Sequence, residues 1–521
     1  MSVTSKLASA AVLARTNFNL FERPDRLARA LLSSLPWGLT TSAALASAVA
    51  RTPDRAAIID DDGPVSYRTL WQHTDGLAAQ LLDNGVGDGT NVGVLCRNHR
   101  GFVEALFAVA KTGANVVLMN TGFAGPQLHD VCAAENITML LHDDDFGDVV
   151  VSVPGCRSID GTTSRSATTS GRTVPPNRHQ GRTVILTSGT TGRPKGAARA
   201  PDAGAIEGVT ALLSRVPLRP GDVQLIAAPL FHAWGLSHLM LGVTRCATSV
   251  VSRRFDPLKT LGDLGRHRAR VLVAVPVMLQ RMVAVGDDKL AAAHLKMSEL
   301  EVIAVSGSAL GGHLATTLAC QFGPVVYNTY GSTEVSIAAV ATPADLALHP
   351  TTVGKPATGV RVEILDKLGN AVPTGVSGRI FVGNSSRFDG YTNGETKESI
   401  HGLLSSGDVG HIDNDGYLFV DGRDDDMIIS GGENLFPGEI EELLASHPAI
   451  AEVAVIGVPD PQFGQALAAF IVRRPGKRLT AAAAKKYVRA NLATFKVPKT
   501  VTFVDELPRN QTGKILKRTL S

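Results

Sequence analysis

From Ala56 onward, short apolar runs alternate with stretches whose apolar residues recur at helical spacing. Asn91 to Leu95 and Asn115 to Leu118 read as strands, and Ser66 to Leu82 and Gly101 to Lys111 as helices. That alternation predicts α/β layers. A stretch rich in Ser, Thr, Gly, Pro and Arg over 151–182 then reads as an exposed connection. A second α/β unit is expected from about Thr183, with strands at Thr183 to Leu186, Val223 to Ala228, Val271 to Ala274, Val302 to Val305 and Val325 to Tyr327. Three of these runs are followed at once by Thr187, Pro229 or Ser306, and the other two reach Pro276 and Thr329 one residue later, the place where open α/β sheets put ligands.

Between Gly354 and Val420 the pattern shortens to strands punctuated by Gly359, Gly375, Gly378 and Gly383, as in a small barrel or distorted sheet. After Asp424-Asp425-Asp426 a last α+β unit is expected, with strands at Ala451 to Val458 and Ala466 to Val472 and a helix from Thr480 to Asn491. The expected division is therefore an extension over 1–40 and a body over 41–423, split into α/β (41–180), α/β (181–350) and β-rich (351–423) parts. A hinge over 424–426 and an α+β unit over 427–521 follow. Within the extension, Leu27, Leu31 and Leu35 recur at helical spacing after Pro24, and basic residues outnumber acidic ones. The expectation adopted is a short helix whose leucines pack on the body; weak peripheral contact with a membrane surface is the second reading.

The 521 residues carry 44% hydrophobic and 19% charged residues and a formal net charge of +3, which is globular composition with no global attraction for nucleic acid. Five separated cysteines form no C-x-x-C pair, so neither a disulfide framework nor a zinc site is indicated, and a reducing cytoplasmic setting is expected. Met427 to Ser521 holds 13 Lys and Arg against 8 Asp and Glu. Its basic residues near the end, Lys496, Lys499, Arg509, Lys514, Lys517 and Arg518, could face the phosphates of a cofactor or an acidic protein.

The sharpest local signal is Thr187-Ser188-Gly189-Thr190-Thr191-Gly192-Arg193-Pro194-Lys195-Gly196, directly after an apolar strand. Its glycines free backbone N–H groups, its hydroxyls add donors and Lys195 adds positive charge, a set suited to polyphosphate. It is not a Walker A loop, because Pro194 stands where that motif has Gly. Glu334, in a Gly/Ser/Thr loop beyond a strand, is well placed to hold Mg²⁺ against phosphate oxygens.

With this loop in view, residues 40 to 521 resemble the adenylate-forming superfamily: acyl-CoA synthetases, peptide-synthetase adenylation domains and luciferases, with fatty acid–CoA ligases the nearest in character. Further motifs stand in the superfamily's order: Tyr330-Gly331-Ser332-Thr333-Glu334, Ser406-Gly407-Asp408, Gly422-Arg423-Asp424-Asp425, Ser430-Gly431-Gly432-Glu433-Asn434 and Pro508-Arg509-Asn510-Gln511-Thr512-Gly513-Lys514. The resemblance implies a large body and a small C-terminal domain that rotates about Asp425 between two half-reactions. It implies ATP, Mg²⁺ and CoA, with CoA or an acyl carrier protein as thiol acceptor; a medium- to long-chain fatty acid is the expected substrate ahead of an aromatic acid, and a non-catalytic binder of nucleotide or acyl group is the alternative of another class. Lys514 would meet the carboxylate and the α-phosphate, and Thr187 would join Glu334 on the metal. Tyr330 would stack on adenine, with Asn328 and the Gly307-Ser308-Ala309 turn lining it, and Asp408 and Arg423 would bind the ribose. His232 and Trp234 would line the acyl site, and Gly431 and Gly432 the thiol path. Gly235, Gly307, Ala309 and Gly331 are expected to leave room for a long acyl group. His232 stands where amino-acid-activating members carry Asp, which disfavours an amino-acid substrate. One departure lies in Gly402-Leu403-Leu404-Ser405-Ser406-Gly407-Asp408, which keeps the ribose acid but lacks the usual Trp, so the local packing there is open.

Overall fold

The computed structural model describes residues 12–13, 24–151, 153, 157–160, 171–188, 194–199, 204–286, 288–290, 297–424, 426, 428–430, 433–460, 464–510 and 513–520. The expected pivot Asp425 and the glycines Gly431 and Gly432 lie outside them, as do Gly189, Thr190, Thr191 and Gly192.

Two large mixed sheets carry the body. The nine-stranded sheet is parallel through Ala56–Asp60, Thr248–Val250, Val223–Ile226, Val271–Ala274, Val302–Val305 and Val326–Ser332, with antiparallel strands at both edges. All of Val271–Ala274 and Val302–Val305 is buried, which is why these strands read as unbroken apolar runs. The seven-stranded sheet joins Asn91–Leu95, Asn115–Leu118, Ile137–His142, Arg157–Asp160 and Thr183–Ser188 in parallel. Pro194–Arg199 and Gly390–Tyr391 close it with antiparallel pairs.

The chain does not change sheets at residue 180. The hairpin Ala56–Asp60 and Gly63–Ser66 joins the nine-stranded sheet, whereas Thr183–Ser188 pairs with Asn115–Leu118 in the other. Apolar runs mark a strand but not its neighbour, so an α/β boundary placed on sequence order alone misassigns both segments.

The helices follow their caps. Ser66 accepts from Thr69 N–H to start Tyr67–Asp83, and Gly113, at φ 81°, ends Arg100–Thr112. The β-rich part is a five-stranded antiparallel sheet of Arg361–Leu365, Gly378–Gly383, Ser399–Ile400, Leu403–Ile412 and Leu418–Arg423. Leu403 is buried against Leu365 and Phe381, and Leu404 against Ile380 and Val382, so aliphatic side chains pack where the usual Trp is missing. After Arg423, strands Ile428–Ser430, Glu433–Leu435, Ile450–Asp460, Gly464–Arg473 and Thr500–Phe503 form a separate sheet with its own core under helices Pro437–Ala445 and Ala481–Asn491.

This last unit is seated on the body. Gly513, at φ 80°, lies so close to helix Pro276–Val283 that a Cβ on it would stand 2.0 Å from Val277 Cγ1. Glu442 accepts the His313 backbone N–H at 3.0 Å, at the start of helix Gly312–Phe322, whose own N-cap Gly311 offers no side chain.

The expected N-terminal helix forms at Pro24–Ser34, but of the expected Leu27, Leu31 and Leu35 only Leu27 is half-buried. Leu31 and Leu32 are exposed, Leu35 in the following turn is too, and Ala30 is the helix's buried residue. Instead the segment is anchored by Trp37, edge-on to Trp71 at 5.4 Å. The ammonium of the fully buried Lys111 lies 3.4 Å from the Trp71 ring centroid and 2.7 Å from Asp75. Burial pulls the Lys111 pKa down to about 8, against the opposing pull of Asp75.

Removing one member of such a buried pair leaves an uncompensated charge. Asp75→Ala should therefore lower unfolding stability by roughly 3–5 kcal/mol in denaturant titration, and an unchanged midpoint would show that the pair contributes nothing.

Candidate active site

The ends of the parallel strands deliver the candidate residues to one place. Thr187 is the penultimate residue of strand Thr183–Ser188, His232 follows Val223–Ile226, the Gly307-Ser308-Ala309 turn follows Val302–Val305, and Tyr330 to Ser332 end Val326–Ser332. These residues, with Lys195, Trp234, Asn328, Thr333, Glu334, Asp408, Arg423 and Lys514, line a single cavity of about 2120 Å³ between the body and the C-terminal unit. Ser188 is the last residue of its strand.

Strands Leu403–Ile412 and Leu418–Arg423 pair Asp408 with Arg423 in register, and Arg423 donates to the Asp408 carboxylate at 3.3 Å. The Tyr330 hydroxyl donates to the other carboxylate oxygen at 2.6 Å. Burial raises the Asp408 carboxyl above its ordinary value, against the opposing Tyr330 hydrogen bond and the charges of Arg423 and Lys514. Tyr330 is itself pushed up by burial and by Asp408. Lys514 lines the same cavity.

Glu334 is held from two sides. Ser332 Oγ donates to one carboxylate oxygen at 2.8 Å and Tyr391 Oη to the other at 2.7 Å. Together with the Thr187 hydroxyl, 3.2 Å from the Lys195 carbonyl, it presents hard oxygen donors to the cavity, which is the chemistry Mg²⁺ requires. Lys195 forms an ion pair with Glu395. Asn328 is buried and reaches the Thr352 carbonyl at 3.5 Å.

His232 precedes helix Ala233–Thr244, and burial drops its pKa to about 4, so its imidazole is neutral at pH 7. Its Nε2 is buried without a hydrogen-bond partner among the described residues. Trp234 donates its indole N–H to the Ala274 carbonyl at 3.2 Å, and His238, also neutral with a pKa near 4, stacks edge-on to it.

Two expected spacers have other reasons. A Cβ on Gly235 would lie 2.4 Å from the Pro229 carbonyl oxygen, and Gly235 does not line the cavity. Gly331 lines it, yet a Cβ there would meet the Ser336 carbonyl oxygen at 2.0 Å, so close backbone approach in the hairpin already demands glycine. The basic cluster near the end is largely neutralised within its own unit: Lys496 pairs with Glu439, Lys499 with Asp460, Arg509 with Glu452 and Lys517 with Glu441. Sequence reasoning missed Tyr391, Glu395 and Glu442. They sit in polar, aperiodic or amphipathic surroundings, and only their partners across the fold single them out.

The AMP-binding enzyme family matches residues 45–392, and its C-terminal domain residues 439–514. Over 473 residues the chain is 32% identical to a 2-succinylbenzoate–CoA ligase of Bacillus cereus, covering 90% of this chain and 96% of the relative. Over 499 residues it is 31% identical to a fatty acid–[acyl-carrier-protein] ligase of Streptomyces coeruleorubidus, covering 90% and 93%. Its fold matches that of the o-succinylbenzoate CoA synthetase of Bacillus subtilis in complex with its acyl-adenylate intermediate, with a TM-score of 0.82, 29% identity and coverage of 92% and 97%. The α/β body with a smaller C-terminal unit, the cavity at the strand ends and these two family matches lead to one conclusion: the chain belongs to the AMP-binding enzymes of the adenylate-forming superfamily.

Proposed function

We propose that this chain is an AMP-forming acid–thiol ligase that activates a fatty carboxylic acid with ATP and passes the acyl group to CoA. The observation that carries the reading is the convergence of Glu334, Thr187, Asp408, Arg423, His232 and Lys514 on one cavity. A carboxylate is a poor electrophile at neutral pH. Its oxygen attacks the α-phosphorus of ATP, the bond from that phosphorus to the bridging oxygen breaks, and pyrophosphate leaves with the electron pair. A thiolate then attacks the acyl carbon of acyl-AMP and AMP departs.

In this proposal Lys514 meets the carboxylate and the charge developing at the α-phosphate. Asp408 and Arg423 hold the ribose hydroxyls, while Tyr330, Asn328 and the Gly307-Ser308-Ala309 turn receive the base. The Ser188 to Lys195 loop, of which 189–193 lie outside the described residues, and the Ser332-Thr333 hydroxyls would bind the phosphates. Glu334 and Thr187 would hold Mg²⁺, which supplies charge neutralisation to the departing pyrophosphate. His232 offers a neutral imidazole nitrogen, unpartnered among the described residues, at the acyl end. Asp425 would be the pivot and Gly431 and Gly432 the thiol path.

The apolar side of the cavity, with Val209, Leu212, Trp234, Leu236, Met240 and Ile337, supports a fatty acyl group. A second reading, an aryl acid, is favoured by the 2-succinylbenzoate named for relatives. An acyl carrier protein as acceptor is favoured by the Streptomyces relative's name. Pyrophosphate release with ATP and a panel of fatty and aryl acids separates the first two, and thioester formation on CoA or on a carrier protein decides the acceptor. No pyrophosphate with any acid would sink the proposal.

Three outcomes follow from these roles. Lys514→Ala should lower acyl-AMP formation by about 10²–10³-fold while leaving thioester formation from supplied acyl-AMP near wild type. Equal loss in both half-reactions would contradict the assignment. Glu334→Gln should raise the Mg²⁺ concentration needed for half-maximal activity more than it changes the KM of the acid, and an unaltered Mg²⁺ titration would remove Glu334 from the metal. Because the His232 pKa falls to about 4 on folding from an unfolded value near 6.5, the unfolded state binds the proton more readily. Its contribution to stability is complete above pH 6.5 and is lost as pH falls toward 4. His232→Gln should therefore flatten the fall in unfolding free energy across that window, and identical slopes would contradict a buried neutral imidazole.

A further inference from the structure

Glu334 is not positioned by its own loop alone. Its second oxygen is engaged by the hydroxyl of Tyr391, which lies 57 residues further along the chain, at 2.7 Å. Tyr391 is in turn fixed by backbone. Its two-residue strand pairs antiparallel with Ala197 and Ala198, the Thr392 N–H donates to the Gly196 carbonyl at 2.8 Å, and the Phe388 N–H donates to the Glu334 carbonyl at 2.9 Å. Phe388 also packs edge-on against the Tyr391 ring at 5.0 Å. The same short segment supplies Glu395 to the ammonium of Lys195.

A lone Glu side chain samples several rotamers, and each unproductive one weakens a metal site that it must complete. With Ser332 and Tyr391 each donating to a different oxygen, one orientation of the carboxylate is selected, and each oxygen keeps a further lone pair for a cation. The strand carrying Tyr391 is hydrogen-bonded to the strand carrying Lys195, so the acid is held in register with the phosphate-side lysine.

We propose that Tyr391 is a positioning residue that orients Glu334 for Mg²⁺·nucleotide. The inference rests on the reading of Glu334 as a metal ligand. Tyr391→Phe keeps the ring and its packing and removes only the hydroxyl. Mn²⁺ binding to the full-length chain saturated with a non-hydrolysable ATP analogue, followed by electron paramagnetic resonance, should weaken by about tenfold or more in this variant. The affinity for the analogue without metal should stay at the wild-type value. Unchanged Mn²⁺ affinity would overturn the proposal, and so would an equal loss of nucleotide affinity with and without metal, which marks a merely structural role. Glu334→Gln, measured alongside, separates the two readings. If it weakens Mn²⁺ binding and Tyr391→Phe does not, the positioning role alone falls; if neither does, the metal assignment of Glu334 falls with it.

Discussion

The arrangement depends on one close contact between the two parts of the chain. Gly513 lies against Val277 with no space for a side chain, and this seat brings Lys514 to the cavity wall where its charge reaches Asp408. The loop is braced around it: the Lys514 N–H donates to Asn510 Oδ1 at 2.9 Å, Arg509 donates to the Gly513 carbonyl at 2.6 Å, and Arg509 also pairs with Glu452. Glu442 completes the first turn of a body helix from across the interface. In this arrangement Lys514 lines the same cavity as the strand-end residues Thr187, Ser308 and Tyr330.

Behind that contact, the cavity's polar wall is a set of interlocked pairs. Tyr330 links the expected base site to Asp408, Arg423 joins Asp408 across a strand pair, and Tyr391 ties Glu334 to the strand that presents Lys195. Low exposure strengthens each of these hydrogen bonds and makes an unmatched member costly, so the wall favours a single configuration. His232, neutral and, among the described residues, unpartnered at Nε2, stands apart from this network beside Trp234 and Leu236. That asymmetry suits a substrate with a charged end and an apolar body.

Much of the fold was legible in the sequence because burial writes periodicity. Asn91–Leu95, Asn115–Leu118, Val271–Ala274 and Val302–Val305 have the ends that their apolar runs predict. Sheet membership was not legible, since the Ala56–Ser66 hairpin and Thr183–Ser188 exchange sheets through pairings far apart in the chain. The site residues on glycine-rich strand ends could be found from local chemistry and resemblance. Tyr391, Glu395 and Glu442 could not, because their significance lies in contacts made across roughly 57, 200 and 129 residues of sequence. Gly235 and Gly331 show the converse: small residues near a pocket invited a substrate argument, while backbone packing is what demands them.

The central claim is that the Gly513–Val277 seat delivers Lys514 for acyl-AMP formation. It is tested most directly by measuring the two half-reactions separately in Gly513→Ala and in Gly513→Ala combined with Val277→Ala. The added methyl meets Val277 Cγ1, so the single variant should lose acyl-AMP formation while still converting supplied acyl-AMP to thioester. Removing Cγ1 in the double variant should restore part of the first half-reaction. If the single variant forms acyl-AMP at the wild-type rate, or if both half-reactions fall together and Val277→Ala restores neither, the seat does not place the lysine and the account is wrong.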